Sequence, residues 1–245
     1  MDRSPTRNLS LAALLAIGTL GAVPTGLSAA VITNGCERSD QACTLAELAR
    51  GGSIRIEDQI FADWFVEDSS TLTVDISGID VIPLDDQPLN PGLQFNGNGA
   101  LSTIGLDLID LTLGFTVSTV DGAARINDNS LEITGHNFGV GNSGGFITIF
   151  EDVFDATGAL IGEKFVTADN ADPPILDLFD SAAFSPVALV SVEKTILLAG
   201  DSENDTVTLE TFTQRFSQVP EPASWVLVML GLLGAGLTRR GRRRS

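Results

Sequence analysis

Apolar and polar residues alternate along several short stretches of the chain, at 54–56, 72–76, 146–150 and 207–211. A period of two is typical of β-strands that bury one face. The stretch 146–150 is apolar on both faces, which favours a strand lying centrally between two layers. The alternation therefore predicts a chain built mainly from short strands.

Turn sequences rich in Gly, Asn and Asp separate these stretches, and no helical period of useful length occurs inside 53–218. Many short strands joined by such turns are typical of antiparallel sheets packed in two layers. The pattern predicts an all-β fold, an antiparallel β-sandwich-like single domain with one short helix near its N-terminal end.

That helix is predicted to begin at Thr44 and to end before Gly51. Thr44 and Glu47 have the spacing of a capping box, in which the two side chains bond each other's backbone N–H groups. Glycine is a typical residue just beyond a helix end. Leu45 and Leu48 fall on the side that we expect to be buried.

The N-terminal end has the three parts of a secretory signal peptide. Two arginines precede an apolar stretch at 9–23, and small residues follow at 28–30. We expect residues 1–30 to pass through the secretion translocon and signal peptidase to cleave between Ala30 and Val31.

The C-terminal end has the features of a second targeting segment. Pro220, Glu221 and Pro222 precede sixteen uncharged residues at 223–238. These residues predict a short transmembrane helix of about 24 Å, at about 1.5 Å per residue. A cluster of arginines follows and predicts that this end stays in the cytoplasm. The arginines are Arg239, Arg240, Arg242, Arg243 and Arg244.

This tail, residues 219–245, resembles the PEP-CTERM sorting signal. The resemblance rests on the Val-Pro-Glu-Pro start at 219–222, the short apolar segment and the terminal arginines. It implies processing by an exosortase near Pro-Glu-Pro, transient anchoring in the inner membrane, and delivery to the cell surface or extracellular matrix. Short pieces at 43–48, 51–54 and 92–95 resemble the bodies of other such proteins. The alternative is an ordinary single-pass anchor that is retained.

The part of the chain between the two targeting segments is strongly acidic. The whole sequence has 32 acidic and 14 basic residues, and the ends (1–30 and 220–245) hold two of the acids and seven of the bases. Residues 31–219 therefore hold 30 acids and 7 bases. Nucleic acid is excluded as a partner, because phosphate binding needs a basic surface. The charge suits solubility outside the cell, or divalent cations that bridge the protein to anionic polysaccharide.

The stretch 31–218 has the size and apolar content of one packed extracytoplasmic domain. It holds all 13 Phe residues, a single Trp and no Tyr. Trp64 lies near other aromatic residues in sequence and is expected in the core. Cys36 and Cys43 are the only cysteines. In an oxidising compartment they predict a disulfide rather than a metal or redox site.

Candidates for catalysis are weak. His136 is the only histidine, and Ser143 lies in a Gly-x-Ser-x-Gly sequence that a strand follows, whereas a nucleophile elbow needs a helix there. Carboxylate pairs suited to glycoside cleavage are expected by chance in so acidic a chain. The pairs are Asp107 with Asp110, Glu151 with Asp152, and Asp177 with Asp180.

Calcium is the one cofactor that the sequence allows. Asp201, Glu203 and Asp205 place oxygen ligands at alternate positions, but the segment lacks the central Gly and distal Glu of an EF-hand. A second acidic turn at 169–172 matches no calcium loop either. We expect no obligatory cofactor.

These features together predict an exported protein of the cell surface or exopolysaccharide matrix with a structural or interaction role and no enzymatic activity. Two alternatives remain open. One is an extracellular polysaccharide hydrolase, and the other is a calcium-dependent carbohydrate-binding or adhesive module.

Overall fold

The computed structural model describes residues 31–37, 42–120 and 124–220. The predictions for the signal segment 1–30 and for the apolar segment 223–238 with its arginines lie outside this part of the chain. Among the described residues, no helix is both long and apolar enough to cross a membrane.

The described chain forms one helix and fifteen strands. The helix α1 is Leu45–Ala49. The strands are β1 (Ile32–Asn34), β2 (Cys43–Thr44), β3 (Ser53–Ile56), β4 (Gln59–Asp68), β5 (Asp80–Leu84), β6 (Gly92–Asn96), β7 (Ser102–Ile104), β8 (Leu108–Thr119), β9 (Ala124–Phe138), β10 (Phe146–Asp155), β11 (Leu160–Asp169), β12 (Ile175–Asp177), β13 (Phe179–Val187), β14 (Leu189–Ala199) and β15 (Thr206–Pro220).

The strands form two antiparallel sheets that enclose one apolar core. The eight-stranded sheet has the order β1-β3-β4-β8-β14-β10-β11-β12. The seven-stranded sheet has the order β13-β9-β15-β6-β5-β2, and β7 also pairs with β15. The core draws buried residues from both sheets and from α1. The predicted antiparallel all-β fold is confirmed.

The N-terminal helix is confirmed in its type and in its cap. The Thr44 backbone N–H donates to Glu47 at 2.7 Å, and the Glu47 N–H donates to the Thr44 hydroxyl at 3.2 Å. Leu45 and Leu48 are fully buried, as predicted. The disulfide between Cys36 and Cys43 is also present, and it joins the segment after β1 to β2.

The strand predicted at 72–76 is wrong. The segment is irregular, and β5 begins only at Asp80. The Asp68 carboxylate accepts hydrogen bonds from the backbone N–H groups of Ser70 and Val74, both at 3.0 Å. These side-chain bonds replace the ladder that a strand would have formed.

A β-bulge changes the predicted alternation at 207–211. The register of β15 against β9 shifts between Leu209 and Phe212. Val207, Leu209 and Phe212 are buried, whereas Thr211 is only half-buried. An extra residue in one strand reverses the face of every residue that follows, so Thr211 leaves the core face on which its alternation had placed it.

Aromatic rings fill the centre of the core. Trp64 is 6% exposed and stacks on Phe115, with 4.4 Å between ring centroids. Phe95 and Phe212 stack in the same way, also at 4.4 Å. The core position predicted for Trp64 is therefore confirmed. Such pairs add about 0.5–1.5 kcal/mol beyond the area that they bury.

A row of charged side chains crosses this apolar core. Glu151 on β10 lies in register between Lys194 on β14 and Lys164 on β11. Lys164 Nζ lies 2.8 Å from Glu151 Oε1, and Lys194 Nζ lies 2.9 Å from Glu151 Oε2, with all three side chains fully buried. From the seven-stranded sheet, Asn129 and Gln214 each donate a side-chain amide hydrogen bond of 2.8 Å to Glu151 Oε1.

The pKa values of this row follow from burial and from the neighbouring charges. Burial alone would raise the pKa of Glu151, but the two lysine charges outweigh it and hold that pKa below its usual value. Burial lowers the pKa of Lys194, against the attraction of Glu151. Phe95, Phe115 and Phe212 surround Lys194 Nζ with ring centroids at 5.1, 5.2 and 5.5 Å. A Lys194 cation would therefore gain from the faces of three rings.

A second polar cluster joins two loops at one end of the sheets. Asp205 is 2% exposed and follows β14, whereas Ser143 lies in the loop between β9 and β10. Asp205 Oδ1 accepts a hydrogen bond from the Ser143 N–H at 2.8 Å. Asp205 Oδ2 accepts one from the Ser143 hydroxyl at 2.8 Å and one from the Ser202 N–H at 3.0 Å. Burial opposes ionisation, yet these bonds and one from the Asp201 N–H lower the pKa of Asp205 to about 2.

We predict that Glu151→Gln strongly destabilises the protein. The substitution leaves two lysines in the core without a counter-charge, which costs about 3–5 kcal/mol in the free energy of unfolding. Urea denaturation followed by tryptophan fluorescence measures the loss. Asp152→Asn, one residue along on the outer face, is the control and should change stability by no more than about 0.5 kcal/mol. An equal effect of the two substitutions would contradict the account.

We predict that Asp205→Asn destabilises the protein at neutral pH and that this effect disappears in acid. An Asp with a folded-state pKa of about 2, against about 3.9 unfolded, stabilises the fold above pH 4. That stability is lost as the pH falls through about 2. Denaturation midpoints of both proteins between pH 7 and pH 2 test this, with the exposed Glu203→Gln as the control. A gap that stays constant with pH would refute the prediction.

Candidate functional site

The residues considered for a serine-type site do not meet. The loop 139–145 lies between two strands, as its sequence predicted, and the Ser143 hydroxyl donates to Asp205. His136 lies on β9 opposite Leu209, with its ring against Phe138 at 5.7 Å. The hydrogen bond that would activate Ser143 therefore goes to a carboxylate and not to an imidazole.

Two of the three carboxylate pairs are separated by the fold. Glu151 points into the core, whereas Asp152 points to solvent. Asp177 lies on β12 of the eight-stranded sheet, and Asp180 lies on β13 of the other. Side chains alternate along β10, which separates the first pair. The chain changes sheet between β12 and β13, which separates the second.

The calcium candidates form a turn around Asp205. Both oxygens of Asp205 already accept hydrogen bonds, and the Asp201 carboxylate lies over Gly144, where a Cβ would meet it at 2.1 Å. Glu203 is exposed. Within the described ranges, no group of three or more His, Cys, Asp or Glu side chains is placed to hold a metal ion. Calcium binding stays a prediction.

A polar groove of about 450 Å³ lies on the outer face of the seven-stranded sheet. Asp128, Glu132 and Arg215 line it, together with the exposed ring of Phe179. Arg215 is held at its edge by an ion pair with Asp86 at 2.8 Å. Asp128 and Glu132 are four residues apart on one strand, which places their Cα atoms about 13 Å apart. Retaining and inverting glycosidases need about 5–9.5 Å between their carboxylates.

The outer face of the eight-stranded sheet carries a different surface. Phe150 on β10 and Phe165 on β11 lie opposite each other in register, with ring centroids 5.0 Å apart and ring planes at 54°. They are 46% and 42% exposed. We call this pair the aromatic platform. It lies beside a groove of about 330 Å³.

Carboxylates form a row next to the platform. Glu193 on β14, Asp152 on β10 and Glu163 on β11 are directly opposite one another across the three strands, and all are exposed. At the other side, Asp180 accepts the Phe165 N–H at 3.0 Å and lines the groove. The surface thus combines two apolar ring faces with several strong hydrogen-bond acceptors.

The sequence indicated this surface only in part. The alternation at 146–150 correctly placed Phe150 on the face opposite Ile149. The inference of a covering second layer was wrong for the described residues, because Phe150 is nearly half exposed. Phe165, in contrast, was not singled out. The acidic row was missed as well, because only strand pairing brings its three members together.

Three comparisons set the chain beside known proteins. A search of curated proteins found no match. Among solved structures, the chain resembles TmCBM61 in complex with β-1,4-galactotriose, with 13% identity over 65% of this chain and 89% of that one, at a TM-score of 0.30. It also resembles the enzymatically active domain of tailspike protein 4 of bacteriophage CBA120, with 9% identity over 64% of this chain and 19% of that one, at a TM-score of 0.24.

A third likeness is to the arabinose-bound α-L-arabinofuranosidase MgGH51, with 14% identity over 62% of this chain and 23% of that one, at a TM-score of 0.20. The chain thus spans less than a quarter of the second and third of these structures. Scores this low carry no argument about what the chain binds.

The tail provides the specific match. The PEP-CTERM protein-sorting motif matches residues 218–244, which include Pro220, Glu221, Pro222 and the five arginines. The resemblance seen in the sequence is confirmed. The motif implies export, transient anchoring by the C-terminal region and processing by an exosortase. The chain is therefore an exported protein that carries a C-terminal PEP-CTERM protein-sorting motif.

Proposed function

We propose that this protein is a non-enzymatic component of the cell surface or exopolysaccharide matrix, where its aromatic platform binds an uncharged polysaccharide. One observation carries the proposal, namely two exposed phenylalanine rings placed in register beside a row of exposed carboxylates. An exosortase delivers the domain by acting near Pro220–Pro222.

The aromatic platform suits a sugar because it offers apolar and polar contacts side by side. Exposed phenylalanine rings are costly in water, and clusters of them mark binding surfaces. A ring face can pack against the C–H face of a pyranose. Asp152, Glu163 and Asp180 can accept hydrogen bonds from sugar hydroxyls, and bonds to ionised acceptors are the stronger ones.

The carboxylate row supports the same ligand. Like charges directly opposite on neighbouring strands destabilise a sheet, so Glu193, Asp152 and Glu163 carry an energetic cost in the free protein. Hydroxyl donors relieve that cost without adding charge. An anionic polysaccharide would be repelled by a domain with 30 acids and 7 bases, unless cations bridge the two.

The absence of enzymatic activity is part of the proposal. Asp128 and Glu132, which line the groove on the seven-stranded sheet, have Cα atoms about 13 Å apart along one strand. A glycosidase pair, with carboxyl groups about 5–9.5 Å apart, would require both side chains to bend towards each other. Glu151 and Asp152 face opposite sides of their sheet, so they do not act on one bond.

We predict that Phe150→Ala with Phe165→Ala abolishes polysaccharide binding. Affinity electrophoresis in gels containing β-1,4-galactan, a β-glucan or dextran should show retardation of the wild type by at least one of them. The double variant should migrate as in a gel without sugar. Both rings lie on the outer face, so the double variant should stay folded, with the loss of the ring pair lowering its stability by about 0.5–1.5 kcal/mol.

Phe179→Ala is the matched control, since that ring is also exposed but lies on the other sheet. Retardation of the control together with loss in the double variant supports the platform. Equal retardation of all three proteins would overturn it, and so would wild-type binding to none of the polysaccharides. Binding that needs Ca²⁺ and disappears in EDTA would favour the calcium-dependent module instead.

We predict that replacing Pro220, Glu221 and Pro222 by Ala blocks delivery. The variant should stay in the membrane fraction of its native host with the terminal arginines attached, whereas the wild type should be released with its C-terminus near this motif. Intact mass spectrometry of both fractions measures this. Glu203→Ala is the control. A released wild type that still carries Arg239–Arg244 would contradict exosortase processing.

A further inference from the structure

The buried charge row contains a closed triangle of reactive groups. Lys164 Nζ lies 2.6 Å from Asn129 Oδ1 and 2.8 Å from Glu151 Oε1. Asn129 Nδ2 donates to the same Glu151 oxygen at 2.8 Å. An amine, a carboxamide and a carboxylate are thus in mutual contact, and the three residues are 3%, 0% and 1% exposed.

The charges of this row do not balance. Two lysines share one glutamate, and the facing side chains of Asn129 and Gln214 are neutral amides. A surplus charge in an apolar core is costly, so one lysine is driven towards its neutral form. Lys164 Nζ touches both the Glu151 carboxylate and the Asn129 carbonyl oxygen, and an amine that passes its proton to that carboxylate becomes a nucleophile beside the amide.

We propose that Lys164 and Asn129 condense to an intramolecular isopeptide bond, with Glu151 as the proton carrier. Lys164 Nζ attacks Asn129 Cγ, and a new C–N bond forms. The bond from Cγ to Nδ2 breaks, and Nδ2 leaves as ammonia. No oxidant or reductant takes part, because one amide replaces another.

The contacts supply the proton transfers that the step needs. Glu151 Oε1 touches both the amine that loses a proton and the amide nitrogen that gains one. A group within hydrogen-bond reach of both atoms can act first as base and then as acid. Burial holds the reacting atoms together and keeps water away, as intramolecular reactions require.

Lys194 has aromatic contacts that set it apart from Lys164. Lys194 Nζ contacts Glu151 Oε2 and lies over three phenylalanine rings, so its cation has favourable partners. The charge of Lys164 is among the causes that lower the pKa of Lys194. Once Lys164 is an amide, that repulsion is gone and Glu151 and Lys194 remain as a balanced ion pair.

The bond would join the two sheets covalently. Asn129 lies on β9 of the seven-stranded sheet, and Lys164 lies on β11 of the eight-stranded sheet. A cross-link between them restricts the unfolded chain, as a disulfide does, but it cannot be reduced. Such a link suits a domain that has to persist outside the cell.

Tryptic peptide mapping of the full chain from its native host tests the proposal. Trypsin cannot cleave after a lysine whose amine is acylated. The expected product is one peptide covering 126–194, uncleaved at Lys164 and lighter than its sequence by one ammonia. Fragmentation should place the link between Asn129 and Lys164. Separate peptides 126–164 and 165–194 of unaltered mass would overturn the proposal.

Variants distinguish the chemistry from a structural role. Glu151→Gln should give the two separate peptides. Asn129→Asp should still condense but release water, so peptide 126–194 becomes lighter than its own sequence by one water. If the contact is only structural, every tryptic peptide of the wild type and of each variant has the mass of its own sequence. The wild-type and Asn129→Asp masses decide between the two cases even if Glu151→Gln folds poorly.

Two other reactions that release ammonia can be distinguished from the proposed bond by the peptide that becomes lighter. A succinimide at Asn96-Gly97 would also release ammonia, but it lies outside peptide 126–194 and hydrolyses in mild base. Ammonia loss from a peptide 165–215 that is uncleaved at Lys194 would place the bond between Lys194 and Gln214. That result would overturn the assignment to Lys164 and Asn129.

Discussion

The ion pairs of Glu151 with Lys164 and Lys194 constrain the rest of the structure. They cross three strands of one sheet and are completed by two amides from the other. A shift of one residue in the register of β10 would turn Glu151 to solvent and leave two lysines unpaired in the core. The row therefore specifies how β14, β10 and β11 align and how the sheets face each other.

The outer surface of the same three strands follows from that alignment. Because side chains alternate, a buried Glu151 requires Phe150 and Asp152 to point outward. The same register places Phe165 opposite Phe150, and Glu163 and Glu193 on either side of Asp152. The proposed binding surface and the proposed cross-link are thus two faces of one strand arrangement.

The C-terminal sorting tail and the folded domain have separate physical requirements. The tail needs only composition: prolines, a short apolar segment and arginines. The domain needs a core that holds its shape without further help once it is delivered. The disulfide of Cys36 with Cys43 joins the segment after β1 to β2, and the Asp205 cluster joins two loops. Hydrogen bonds from Asn129 and Gln214 to Glu151 join the buried row to the other sheet.

The sequence by itself determined four features, namely the sorting tail, the capped helix at Thr44, the disulfide and the all-β class, because each has a local pattern. Each depends on residues within a few positions of one another. The charge row was invisible, because Glu151 is separated from its lysines by 13 and 43 positions and looked like part of a solvated acidic pair. Only long-range strand pairing decides which partner a buried charge meets, and a single bulge, as at Thr211, reverses the face on which a side chain lies.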